Sequence, residues 1–428
     1  MLVKKLFRSS VIKNFLIYAS GAFFLKGISV LFAPIIMRIL TPADYGLLAL
    51  ITSFINVLFT CAGLGLRQFL MIEYFHFDDT GKKKIVNDVI FIYCLCMLPV
   101  FILFFLNASL INKIVFFNSM SIPLIYLCLS LAFIKFFVEL FFQVLQYAGQ
   151  AFTLTLIQII SALVIVACNL LFLCVFCWGV FSIIASQFIS VLIILFIFIY
   201  FYISQFYFVQ VNIIGSVKKS LFYIKNGLPF IPKILFAWIL AVGDRWILAK
   251  YATLSDVGIY SVADMFGQLF QMMIIIPVSY AYFPYLMNKF ALYKGSKCEL
   301  LSVDKWNYKN MILVMFFLFV LVTLGFILLK PLISIVIPKS YHSALQYVWF
   351  LLIGYIFYLG TYFSTGFLHF QKKVYFLVLA LFVPAICNII LNIVLIPYFA
   401  IWGCVAATVI SYILYFIIIL LYNFWLKR

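Results

Sequence analysis

The chain has 428 residues, of which 68% are hydrophobic and only 9% charged, with a formal net charge of +18. Soluble domains run at about half apolar and a quarter charged, so a water-soluble fold is excluded. In lipid the backbone satisfies itself only as helices or a closed barrel, and these long unbroken apolar runs lack the alternation of barrel strands, which leaves helices.

About twenty apolar residues cross a bilayer. On that length the sequence predicts twelve spans, near 14–37, 45–66, 88–107, 122–144, 153–177, 181–203, 226–250, 258–287, 310–329, 345–368, 374–396 and 403–425. The first follows a basic N-terminal stretch and is too long for a cleaved signal core, so it reads as a retained helix. The fifth and sixth are parted only by Trp178, Gly179 and Val180. The eighth contains Pro277 and Pro284 and is expected to kink or end early. Segments between spans are short, and none holds a Walker loop, a Rossmann glycine pattern or a zinc-protease motif, so direct ATP use within the chain is not expected.

Lysine and arginine accumulate on the cytoplasmic side of membrane proteins. With the N-terminus inside, twenty of the 29 Lys and Arg residues fall on inner segments and five on outer ones. That asymmetry predicts cytoplasmic N- and C-termini and an even number of spans. It also accounts for the basic balance without nucleic acid, because the charges sit in short loops rather than in a basic, aromatic-interleaved domain. The ten cysteines are scattered through apolar segments. Cys174 and Cys177 form a CxxC without a second pair or a nearby histidine, and His76, His342 and His369 stand apart, so no metal or other cofactor is expected.

Two segments match at a separation of 212 residues, almost half the chain. Lys13-Asn14 recurs as Lys225-Asn226, and Arg38-Ile-Leu-Thr-Pro-Ala-Asp-Tyr-Gly-Leu47 recurs as Lys250-Tyr-Ala-Thr-Leu-Ser-Asp-Val-Gly-Ile259. Each copy bridges the first two spans of a six-span half, where Asp44 and Asp256 are expected to cap the next helix and Gly46 and Gly258 to relieve crowding. An all-α fold of two six-helix bundles follows, 1–213 and 214–428, related by a pseudo-twofold axis along the membrane normal. The cavity between such halves is the natural substrate path, which points to a transporter rather than an enzyme.

A charge at mid-bilayer costs about 2.5–3.5 kcal/mol on insertion scales, so intramembrane charges tend to face a cavity or a partner. The candidates are Lys26 in the first span, Lys135 and Glu139 in the fourth, Lys233, Asp244 and Arg245 in the seventh, and Asp264 in the eighth. Lys135 and Glu139 are four residues apart on one helical face and are expected to pair. Asp244 and Arg245 lie near the outer end, within snorkelling reach of the interface. Lys26 and Lys233 have no local acid, and two cationic helices at equivalent positions would suit an anionic phosphate or pyrophosphate head group. Asp264 is placed to bind a coupling proton or sodium ion or to balance a base. The abundant aromatic residues include rings that could stack on sugars.

These residues resemble a known family. The 38–46 segment, then Ala62-Gly-Leu-Gly-Leu-Arg67, is similar to the opening of the bacterial polysaccharide (Wzx-type O-antigen) flippases. Gly227-Leu-Pro229, Gly243-Asp-Arg-Trp-Ile-Leu248 and Asp256-Val-Gly-Ile-Tyr-Ser261 resemble its seventh and eighth helices. Asn392-Ile-Val-Leu-Ile-Pro397 with Trp402-Gly-Cys-Val-Ala-Ala-Thr408 resembles its C-terminal pattern, with Phe399 and Cys404 departing from expected small residues. The resemblance implies the multidrug/oligosaccharidyl-lipid/polysaccharide exporter superfamily and the bacterial inner membrane. It further implies an undecaprenyl-pyrophosphate-linked oligosaccharide as substrate, turned from the cytoplasmic to the periplasmic leaflet, with a polysaccharide polymerase and a chain-length regulator as partners. Within it, Arg38, Arg67, Asp244 and Arg245 match family positions. Taken together, Lys26, Lys233, Arg38, Arg67, Arg245 and Lys135 are the expected substrate-binding residues, and Asp264, Glu139 and Asp244 the expected ion-coupling residues. The alternatives are an ion-coupled drug or cation antiporter of the same superfamily, and an O-antigen polymerase, an enzyme that should carry a large periplasmic loop.

Overall fold

The computed structural model describes Gly27 and residues 32–206, 221–292, 297–371 and 373–427. Among the described residues, eleven helices are long and apolar enough to cross a membrane. In chain order they are α1 (Pro42–Ala62), α2 (Asp79–Leu106), α3 (Ile122–Tyr147), α4 (Ala151–Val175), α5 (Val180–Ile203) and α6 (Leu221–Tyr251). There follow α7 (Leu254–Leu292), α8 (Cys298–Val336), α9 (Lys339–Phe370), α10 (Phe376–Phe399) and α11 (Ile401–Leu426). They correspond to the second through twelfth expected spans; the first lies largely outside the described residues, where only Gly27 and 32–39 are seen to be helical.

Local chemistry sets the ends. Asp78 caps α2 by accepting from the Gly81 amide at 2.9 Å. Asn112 staples the turn before α3, donating to the Met120 carbonyl at 2.7 Å and accepting from its amide at 3.2 Å. The close division between α4 and α5 is real: Cys177 (φ 54°) and Gly179 (φ 57°) take left-handed backbone there. α7 does not end early at its prolines but runs to Leu292, with its irregularity taking the form of a π turn at Gln271–Ile275 just ahead of Pro277. A wider turn leaves room for the proline ring and for the amide it lacks.

The helices form two compact units. The first takes the described residues up to Leu40 and Ile51–Ile231; the second takes Thr41–Leu50 and those from Pro232 onward. In the first unit, Val138, Phe141, Leu154, Ile194 and Phe198 pack α3, α4 and α5 together. Ser161 and Ser190 hydrogen-bond across α4 and α5 at 2.7 Å, a polar tie of the kind that helps helices associate where lipid removes the hydrophobic drive. In the second unit, Phe270, Ile275, Leu359, Phe363, Ala385 and Phe416 form the core of α7, α9, α10 and α11.

The two copies of the repeat have the same local structure. Thr41 donates to the Asp44 carboxylate at 2.7 Å while accepting from the Asp44 amide at 3.2 Å; Thr253 and Asp256 do the same at 2.7 and 3.1 Å. The threonine is therefore the N-cap, and the aspartate reaches back from the third helical position, a reciprocal capping box rather than the simple aspartate cap expected from the sequence. Both capping boxes, with Gly46 and Gly258, belong to the second unit, and there they touch. A Cβ on Gly46 would lie 2.0 Å from the Leu254 carbonyl oxygen, and one on Gly258 would lie 1.9 Å from that of Pro42. The repeated glycines thus let the two helix starts meet backbone to backbone.

Candidate functional site

In the second unit, α6 passes through a π turn at Ile239–Gly243 and then presents Asp244 and Arg245. Neither snorkels as expected: they are 1% and 4% exposed, inside a hydrogen-bonded cluster. Residues 260, 261, 264 and 268 of α7 supply the partners. The Arg245 guanidinium donates from Nη2 to Asp264 Oδ2 at 2.6 Å, from Nε to Ser261 Oγ at 3.0 Å and from Nη1 to the Ala241 carbonyl at 3.2 Å. Asp264 also accepts from Gln268 Nε2 at 2.8 Å and from the Tyr355 hydroxyl of α9 at 2.9 Å. Asp244 accepts from the Tyr260 hydroxyl, from Thr408 Oγ1 of α11 at 3.1 Å and from the Arg245 amide at 2.8 Å. Fully ionised, the cluster holds two carboxylates against one guanidinium, an excess of one negative charge away from water. Such an excess is costly unless a proton or small cation neutralises it.

Beside this cluster is a cavity of about 500 Å³, also within the second unit. Lys233 and His369 line it together with Gln271, Tyr358, Tyr362 and Tyr412. Lys233 is exposed. Two contacts join cavity and cluster. Ala241 lines the cavity while its carbonyl holds Arg245. The Tyr412 ring lines the cavity and stacks edge-on, centroids 5.4 Å apart, against Tyr355, which donates to Asp264.

A second charged group lies in the first unit. Leu64 (φ 47°) and Gly65 (φ 67°) turn the chain after α1, and Gly65 could carry no side chain because its Cβ would meet the Gly227 carbonyl oxygen at 1.9 Å. Arg67 follows, and its Nη2 pairs with Glu139 of α3 at 3.2 Å. The expected Lys135–Glu139 pair is not made; Lys135 instead donates to Asn56 Oδ1 of α1 at 2.8 Å. Both cations flank one ring, with Arg67 at 5.4 Å and Lys135 at 5.3 Å from the Phe59 centroid. Glu139 satisfies the stronger fork donor across helices, which same-helix spacing does not reveal. Because the pair is about a quarter to a third exposed, Glu139→Gln is expected to change stability by no more than about 1 kcal/mol. Thermal unfolding of the purified variant checks this, and a larger loss would mean the pair is a structural pin.

Of the remaining expected residues, Arg38 is exposed ahead of α1, and Lys26 lies outside the described residues. Gln268, Tyr355 and Tyr412 are not picked out by the sequence, and Tyr260, Ser261 and Thr408 stand there only within family-like motifs, with no role assigned. The polar positions around Asp264 share its helical face, which is a usable signal; the three tyrosines are hidden among the chain's 27. Among the described residues, no group of three or more His, Cys, Asp or Glu side chains is placed to hold a metal ion.

Residues 11–289 match the sequence profile of a family described as polysaccharide biosynthesis protein. No curated protein sequence matches the chain. Among solved structures, the lipid II flippase MurJ in an inward closed conformation superposes with a TM-score of 0.75 at 18% identity, covering 96% of this chain and 88% of that one. An inward-facing multidrug resistance MATE family transporter of the MOP superfamily gives a TM-score of 0.70 at 13% identity, covering 98% of both chains. A Vibrio cholerae MATE transporter variant, VcmN, gives 0.62 at 12% identity, covering 97% and 96%. The all-α fold expected from the sequence is the one these transporters share.

Proposed function

This chain belongs to the polysaccharide biosynthesis protein family, and from that premise we propose that it is a flippase, not an enzyme, for undecaprenyl-pyrophosphate-linked O-antigen or related repeat units. It turns them from the cytoplasmic to the periplasmic leaflet of the bacterial inner membrane by alternating access between halves 1–213 and 214–428. Both termini face the cytoplasm, and a polymerase and chain-length regulator receive the product. Reporter tags placed after residues 213 and 428 should then fall on the same side.

The observation that carries this reading is the charge arrangement of the second unit. An exposed base, Lys233, stands in a 500 Å³ cavity walled by hydroxyl-bearing rings, while the acids are set back in a buried cluster at its side. The base suits the pyrophosphate; Lys26, Arg38, Arg67 and Lys135 add positive charge along the path. The excess carboxylate charge of Asp244 and Asp264 suits a coupling proton or cation. Arg245 acts from within that cluster, since its donors are directed to Asp264, Ser261 and Ala241, and Glu139 acts by holding Arg67.

Lys26→Ala combined with Lys233→Ala is expected to abolish surface polysaccharide while the protein is still made. Normal surface polysaccharide in that double variant removes these lysines from the mechanism. Deletion of the gene should leave intact lipid-linked repeat units on the cytoplasmic face; failure to make the unit at all would indicate an enzyme instead. One observation favours the second reading, a cation antiporter: the buried cluster is net negative. That reading requires efflux of a lipophilic cation that is lost in Asp264→Asn and untouched by loss of Lys233.

A further inference from the structure

A second cavity, of about 640 Å³, lies between the N-terminal turns of α8 and the C-terminal turns of α11, away from the cluster described above. Its wall is apolar where α11 contributes Leu420, Leu421 and Phe424, and polar where α8 contributes Asp304, Lys305 and Tyr308. Leu421 and Phe424 are 64% and 60% exposed, so the mouth opens sideways, toward lipid. Asp304 forms the back, 1% exposed, and Lys305 stands at the rim, exposed.

The depth of this site follows from helix length. About twenty residues cross the hydrocarbon, and counting from Ile401 brings α11 to the boundary at Leu420. Counting back from Lys330 brings α8 to the same boundary at Met311, so Asp304, Lys305 and Tyr308 lie one to two turns beyond it, at headgroup level. Only about a tenth of the most apolar stretch of α8 is buried inside the protein, so that stretch borders lipid.

We propose that this cavity is a binding site for a phospholipid with a primary-amine headgroup, of the phosphatidylethanolamine class, in the leaflet where α11 ends. Leu420, at the boundary, meets the first methylenes of an acyl chain, and Leu421 and Phe424, just beyond it, pack against the glycerol and ester region. The exposed ammonium of Lys305 faces the phosphodiester, and the recessed carboxylate of Asp304 takes the headgroup ammonium, whose three N–H donors can reach an acceptor in a narrow recess. A purely anionic headgroup would be repelled by Asp304. A trimethylated one offers no donor and is too bulky to reach it.

The test is native mass spectrometry of the purified full chain after exchange into bilayers containing equal parts phosphatidylethanolamine, phosphatidylcholine and phosphatidylglycerol. The wild type is expected to retain the ethanolamine lipid over the choline lipid by about tenfold, the discrimination that one charge-assisted hydrogen bond supplies. Asp304→Asn should erase that preference without weakening phosphatidylglycerol, and Lys305→Gln should weaken all three. Equal retention of the two lipids by the wild type, dominance of phosphatidylglycerol, or a preference that survives Asp304→Asn would each overturn the site. Because Asp304 is buried, Leu421→Trp at the exposed mouth is the second variant. It blocks entry without touching the buried carboxylate and is expected to strip the retained lipid; unchanged retention would count against the proposal.

Discussion

Arg245→Ala is expected to cost the folded protein about 3–5 kcal/mol, the range for removing one partner of a buried ion pair. The guanidinium holds Asp264, Ser261 and the Ala241 carbonyl with three separate N–H groups. Removing it leaves Asp244 and Asp264, 1% and 3% exposed, in one cluster with no cation between them. Asp264→Asn should cost less, because Arg245 keeps Ser261, Ala241 and the neighbouring Asp244 charge, and the amide can still accept from Tyr355. Arg245→Lys should resemble alanine more than wild type, since an ammonium cannot span three acceptors fixed by a planar fork. Thermal unfolding of the three purified variants in one detergent gives the order. Arg245→Ala as stable as Asp264→Asn would mean that Arg245 does not hold the cluster together.

Gly258→Ala is expected to show the next largest effect. The new methyl would lie 1.9 Å from the Pro42 carbonyl oxygen and 3.1 Å from the Gly46 amide nitrogen, both backbone atoms of a helix start fixed by its own capping box. Nothing there can rotate away, so the two helix starts must separate, at about 1–3 kcal/mol for overpacking of this kind. Gly46→Ala meets the Leu254 carbonyl in the same way, at 2.0 Å, and should match it. Gly325→Ala in α8 is the internal control. No atom beyond its own stretch of helix backbone lies within 4 Å of its Cβ, and the helix should gain about 0.5–1 kcal/mol from the substitution. The thermal midpoints should therefore move in opposite directions. A Gly258→Ala protein as stable as Gly325→Ala would show that the two repeat copies do not meet as closely as the geometry requires.

The contrast between these sites separates what the chain's order of residues decides from what its packing decides. Hydrocarbon requires every span to bond its own backbone over about twenty apolar residues wherever that span sits, so the spans could be placed along the chain before any contact between them was known. Capping is equally local: Thr41 with Asp44 and Thr253 with Asp256 act over three residues, and their recurrence 212 positions apart was readable as a repeat. Partner choice was not local. Spacing along a helix offers only neighbours three or four residues away, which suggested Lys135 for Glu139. The actual partner, Arg67, comes from 72 residues away. Tyr355 and Thr408 reach Asp264 and Asp244 from helices 91 and 164 residues distant. Asp244 and Arg245 looked free to reach the interface because their position in the span is near its end, whereas packing by α7, α9 and α11 removed that route. Which helices stand side by side is settled by the shapes of whole helix faces, including the glycines that let two backbones touch, and only tertiary structure fixes that.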